Sequence, residues 1–138
     1  PTVIGHIPRR RLRVEPYKGN IAAMWYGPQS GQPEPVVRVA VNNPEIHPKF
    51  EIIPLMLHEG VPGHELQHAV ADESHAGDTD AISKFERNAG QNVAFAEGWA
   101  LYAEGLGKEM GLYGDPYDEF GELRLRFVDI NSEHTAID

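Results

Sequence analysis

The segment HEGVPGHELQH, residues 58–68, cannot lie on one straight helix, and this constrains the chain more than any other feature of its sequence. Pro62 has no N–H to donate to the carbonyl of His58, and its ring clashes with that carbonyl, while Gly63 accepts backbone angles closed to other residues. A helix carrying His58 must therefore break or bulge before the chain reaches His64. Its histidines can be read in two registers. His64 and His68 are four apart and project from one helical face, so with Glu65 they make an ordinary HExxH arrangement. His58 and His64 are six apart, about 240° round an unbroken helix, and share an ion only if the break absorbs two extra residues. Glu59 is then the carboxylate beside the first ligand. A plainer reading needs no metal: Pro62 starts a helix and the histidines are surface residues.

Metal ligation gains weight from the neighbours. Five of the seven histidines fall between positions 47 and 75, and His58 and His64 are each followed directly by a carboxylate, Glu59 and Glu65. Imidazoles on one helix face hold zinc, and an adjacent Glu can take a proton from the water there. The chain has no cysteine, so a thiol nucleophile and a cysteine zinc knot are excluded and any metal must sit on His, Asp or Glu. Further along, in VAFAEGWALYAEGL, apolar residues including Val93, Phe95, Trp99 and Tyr102 surround a helix that should be buried, yet Glu97 lies in its middle. A buried carboxylate must be neutralised, paired with a base or bound to a cation. Two histidines and one glutamate with an open fourth position form a catalytic zinc set. A salt bridge or a protonated core acid is the alternative for Glu97.

The periodicity changes along the chain. Up to about Asn43, short alternating stretches such as RLRVE and PVVRVAVN are separated by Gly and Pro clusters, which predicts two or three strands of a small antiparallel sheet. From Pro48 the period is helical, through FEIIPLMLHEG and HELQHAVADE, a polar loop ESHAGDTD, and a segment from about Ala81 to Lys108 that is one helix or two. In GDPYDEF, Asp115 is placed to cap a helix with Pro116 first and Asp118 as the acid of a capping box, the helix running to about Ile130. The expected fold is α+β, helix-dominated, with the sheet packed on the metal-site helices, as a single core over residues 1–138.

The net charge of −9, from 21 acidic and 12 basic residues, argues against a nucleic-acid partner, which binds through many Lys and Arg contacts to phosphate. The basic run Arg9, Arg10, Arg11 and Arg13 reads as a solvated face. The most apolar stretch is interrupted by Glu97 and Glu104, so no span approaches the roughly 20 residues needed to cross a bilayer. The chain is expected to be soluble, cytoplasmic or exported after removal of a leader, and its start at Pro1 suggests a piece of a longer protein.

HEGVPGHELQ followed by AFAEGWALYAEGLGKEMGLYGDPYDEFGELRLR resembles the bacterial domain of unknown function 885 family, whose pattern is close to HExxPGHHxQ and then EGWALYAE. The likeness extends upstream to WYGPQSG and VVRVAVNNP and covers most of the chain. Family members are longer and largely helical, which makes this chain a central piece. The family is related to gluzincin peptidases, and the resemblance implies His58, His64 and Glu97 as zinc ligands and Glu59 as general base. The family usually has a second His where this chain has Glu65, and His68 lies outside the shared pattern; both changes create the competing register. A family His after a VDTGI-like segment matches His134 in VDINSEH, one residue out of step, and makes it a candidate oxyanion partner beside Tyr102.

The implied reaction is hydrolysis of a peptide bond by a zinc-activated water, with Glu59 taking the proton and passing it to the leaving amine. The strand PVVRVAVN, as a sheet edge, would pair with an extended peptide substrate, Asn42 or Asn43 fixing its end. Two other classes stand beside this one: a metal-binding piece without turnover, and an acidic interaction module with structural histidines. Substrate specificity and oligomeric state are not legible in the sequence.

Overall fold

The computed structural model describes residues 5, 7, 9–74 and 93–135, the side chains of the last helix as far as residue 127. Three strands, β1 (Arg13–Tyr17), β2 (Ala23–Tyr26) and β3 (Val36–Ala40), are followed by two short 3-10 turns and helices α1 (Ile52–Glu59), α2 (His64–Ser74), α3 (Val93–Glu109) and α4 (Pro116–Thr135). The fold is α+β and helix-rich, as the change of period predicts.

The sheet is mixed rather than antiparallel, a correction to the sequence reading: its order is β1-β3-β2, with β1 parallel to β3 and β2 antiparallel to it. Local alternation specifies strands but not their partners, and here β3 inserts between two strands that are neighbours in sequence. Composition sorts them. Pro16 has no N–H to give a ladder and so belongs on an edge strand, whereas VVRVA, free of Gly and Pro, takes the centre with Val36 and Val37 fully buried. Arg13 and Val41 donate their amides to the carbonyls of Pro35 and Tyr17, so Pro16 falls at a position facing away from β3.

The helices pack on β2 and on one another, α1 lying against both α3 and β2. The core is Leu57, Leu66, Ala69, Ala100, Ala103 and Leu106 with Ala23 from the sheet. A Cβ on Gly107 would come within 2.6 Å of Leu57 Cδ1, so glycine is what lets α3 approach α1 this closely. The expected capping box opens α4: Tyr117 N–H donates to Asp115 Oδ1 at 2.8 Å, and Asp115 N–H to Asp118 Oδ2 at 3.2 Å. Glu73 and Ser74, expected in the polar loop, end α2 instead, and the rest of that loop and the start of the segment expected from Ala81 lie outside the described residues. Among the described residues no helix is long and apolar enough to cross a membrane.

α3 departs from its expected all-round burial. Val93, Phe95 and Tyr102 are exposed, and Ala96, Ala100, Ala103 and Glu104 form the buried face. Small residues line that face because α1 crosses it closely, leaving the large ones outward. The fully buried acid of this helix is therefore Glu104, at 0% exposure, while the Glu97 side chain is 35% exposed.

Candidate metal centre

The break in HEGVPGH builds the site. α1 ends at Glu59 and α2 begins at His64, with Gly60 to Gly63 outside regular helix and a cis Val61–Pro62 peptide. The chain folds back so tightly that a Cβ on Gly63 would lie 1.8 Å from the carbonyl oxygen of His58. Trp99 on α3 holds the break, its indole N–H directed at the Pro62 carbonyl at 2.8 Å and the Gly63 carbonyl at 3.3 Å. His58 and His64, which no straight helix could bring to one point, thereby meet with their ring centroids 4.8 Å apart.

Glu97 completes the group. Its Oε2 lies 3.2 Å from His58 Nε2 and 3.6 Å from His64 Nε2, and ligand atoms of all three residues fall within 4.8 Å of one another. The longer of those distances exceeds a hydrogen bond. Both match the separation of neighbouring ligands on a tetrahedral ion with bonds of 2.0–2.1 Å, about 3.3–3.4 Å. The donor set, two imidazoles and a carboxylate, fits a divalent metal of zinc's chemistry.

Glu59 stands beside this group with Oε2 accepting the backbone N–H of Trp25 at 2.8 Å, so β2 fixes the carboxylate. A cleft of about 440 Å³ opens over the group, and its lining includes Ala23, Trp25 and Tyr26 of β2 as well as Glu59, His64 and Glu97. Burial raises the pKa of Glu59, against the opposing pull of His58 and His64. The hydrogen-bonding His58 imidazole, and after it the nearby His64 imidazole, hold the Glu97 carboxyl well below the usual carboxylate range, against a smaller opposing effect of burial. For the metal-free protein, burial alone would lower the pKa of His58, but its hydrogen bonds to Glu104 and Glu97 outweigh that and push it up to about 10.

Glu65 and His68 have other partners, although His68 also lines the cleft. Glu65, 3% exposed, pairs with Arg10 Nε at 2.6 Å and accepts the indole N–H of Trp25 at 2.8 Å. His68 stacks on the Trp25 ring, centroids 4.4 Å apart and planes within 7°, and its pKa is lowered by burial and by His64. Arg10 also reaches Asp72, so this member of the basic run is a tether between the N-terminal segment and α2 rather than a solvated charge.

The strand PVVRVAVN, Asn42 and Tyr102 are not part of the lining of this cleft. The strand PVVRVAVN is central, paired on both sides, and cannot add a peptide at an edge. Asn42 accepts the Gly19 N–H at 2.7 Å, closing the turn after β1. Tyr102 lines a separate groove between α3 and α4 with Arg126. His134 lies on the last turn of α4, its side chain outside the described residues.

Two residues were missed by the sequence reading. Trp25 joins the sheet to both His–Glu pairs, and nothing in its local sequence signals that. Glu104 places Oε1 2.7 Å from His58 Nδ1, and its spacing from Glu97, seven residues or two turns, was a usable signal that both acids share a face of α3.

The family model described as "Bacterial protein of unknown function (DUF885)" matches residues 1–128. No curated protein matches the sequence significantly. The crystal structure of the "putative lipoprotein from Colwellia psychrerythraea" is similar to it, with a TM-score of 0.72 and 27% sequence identity, the match covering 86% of this chain and 20% of that one. This chain thus spans about a fifth of the length of that protein.

Proposed function

The chain belongs to the DUF885 family, and we propose that His58, His64 and Glu97 hold a divalent metal, zinc by preference, in a gluzincin-like centre that hydrolyses peptide bonds. The observation that carries this reading is the pair of distances from Glu97 Oε2 to two imidazole nitrogens, 3.2 and 3.6 Å, which suit adjacent corners of one tetrahedron. Zinc would supply polarisation of the scissile carbonyl and a water acidic enough to be deprotonated near neutral pH.

Glu59 is the general base. The Trp25 amide holds its Oε2, which aims the carboxylate into the cleft, and burial makes it a stronger proton acceptor. It takes a proton from the attacking water as the oxygen bonds to the carbonyl carbon, then returns that proton to the amine nitrogen as the C–N bond breaks. No covalent bond to the protein forms. An extended substrate would run along β2, the strand at the cleft. The carbonyl of Ala22 is taken by Ala40 of β3, whereas the outward-facing backbone at Ala23 and Trp25 borders the open side.

The test is metal content and turnover together. After loading with zinc and gel filtration, elemental analysis should find about one zinc per chain, and Glu97→Gln should lose most of it. Cleavage of a peptide library should follow zinc content. A parent that retains no zinc sinks the reading; zinc without cleavage reduces it to metal binding.

A further inference from the structure

His58 is gripped at both ring nitrogens by carboxylates from a single helix, and ligation accounts for only one of them. Glu97 faces Nε2 at 3.2 Å, and Glu104 faces Nδ1 at 2.7 Å. We propose that Glu104 is the positioning residue of the centre: by accepting the Nδ1 proton of His58 it fixes the tautomer and ring plane that present Nε2 to the ion. The inference rests on the metal-centre reading above and deepens it.

Burial and contrast carry the argument. Glu104 is wholly buried on a face otherwise made of alanine, leucine and glycine, where an acid is retained at a desolvation cost unless its hydrogen bonds are needed. Its backbone is fixed as well as its side chain, since Tyr113 Oη donates to the Glu104 carbonyl at 2.6 Å. A neutral imidazole has one N–H and one lone pair, so donating Nδ1–H to the shorter, fully buried contact leaves the lone pair on Nε2, where the other ligands converge. His64 lacks such a partner: among the described residues its buried Nδ1 accepts and donates no hydrogen bond. The Nδ1 of one ligand is therefore held by a buried carboxylate, and that of the other is not hydrogen-bonded among the described residues. Groups that orient metal-bound histidines in this way typically change metal affinity about 10–100-fold when removed.

The experiment is a cobalt titration, read by the visible absorption of the ion, on the parent, Glu104→Met and Glu104→Gln, paired with nitrogen-15 NMR of the histidine rings in the zinc-saturated proteins. Met fills the volume without an acceptor and should bind cobalt about 10–100-fold more weakly. The His58 resonances should show the Nδ1–H tautomer in the parent and a mixture in the Met variant. Gln keeps an acceptor oxygen and should recover part of both, and it carries the test if the Met variant does not fold. Equal cobalt affinity in parent and variants, or an unchanged tautomer, overturns the role of Glu104 while leaving the centre intact. A parent that takes up no cobalt overturns the centre and the role together.

Discussion

The chain carries the dipeptide His–Glu twice within eight residues, at 58–59 and at 64–65, and the two copies have opposite fates. At the end of α1 both members face the cleft, His58 toward Glu97 and Glu59 beside it. At the start of α2 only His64 does; Glu65 turns to the other side of the helix and is locked by Arg10 and Trp25. The identical local sequence is divided by what arrives from afar. Arg10 comes from 55 residues upstream and neutralises one carboxylate, while the Trp25 amide only steadies the other. A carboxylate committed to Arg10 and to the Trp25 indole is not turned to a water at the cleft.

The largest effect that would separate the two copies is on turnover. Glu59→Gln should lower peptide cleavage by about 10²–10⁴-fold with zinc retained, because it removes the proton acceptor and no ligand. Glu65→Gln should leave cleavage nearly unchanged, and the reverse pattern would break the comparison. Next comes metal affinity: His58→Ala and His64→Ala should each weaken zinc binding more than the roughly 10–100-fold expected for an orienting group, measured by competition with a chromophoric chelator. His68→Ala should leave zinc affinity within error of the parent, and loss of the metal there would restore the HExxH register. On stability, Glu65→Gln exchanges a buried ion pair for a neutral contact and should cost about 1–3 kcal/mol in denaturant unfolding. The smallest change is again His68→Ala, which loses the stack on Trp25 and should cost about 0.5–1.5 kcal/mol.

Much of this molecule was legible from local pattern. The switch from alternation to helical period, the Asp115 cap and the break at Pro62 and Gly63 each follow from a few adjacent residues and elementary backbone chemistry. What escaped were pairings between distant segments. Strand order depends on β3 sliding between β1 and β2, which alternation alone does not encode. The buried-acid argument was sound but attached to the wrong residue: Glu97 sits at a cleft lip, and Glu104 is the one in the core, because the buried face of α3 was fixed by the crossing of α1 rather than by the apolar residues of α3 itself. The attraction of the HExxH register came from spacing, which cannot see Arg10.

Trp99 has a consequence for how the centre could be moved to another protein. Its indole N–H spans to the carbonyls of Pro62 and Gly63 from a helix 36 residues away, so the bend between the two histidines is braced from outside the segment that contains it. The linear peptide 58–68 is therefore not a portable cassette. Grafted between two helices of a foreign scaffold it would carry two of the donors without the brace, and a working transplant needs at least three elements: the broken pair of helices, the Glu97-to-Glu104 stretch of α3, and a strand to steady Glu59.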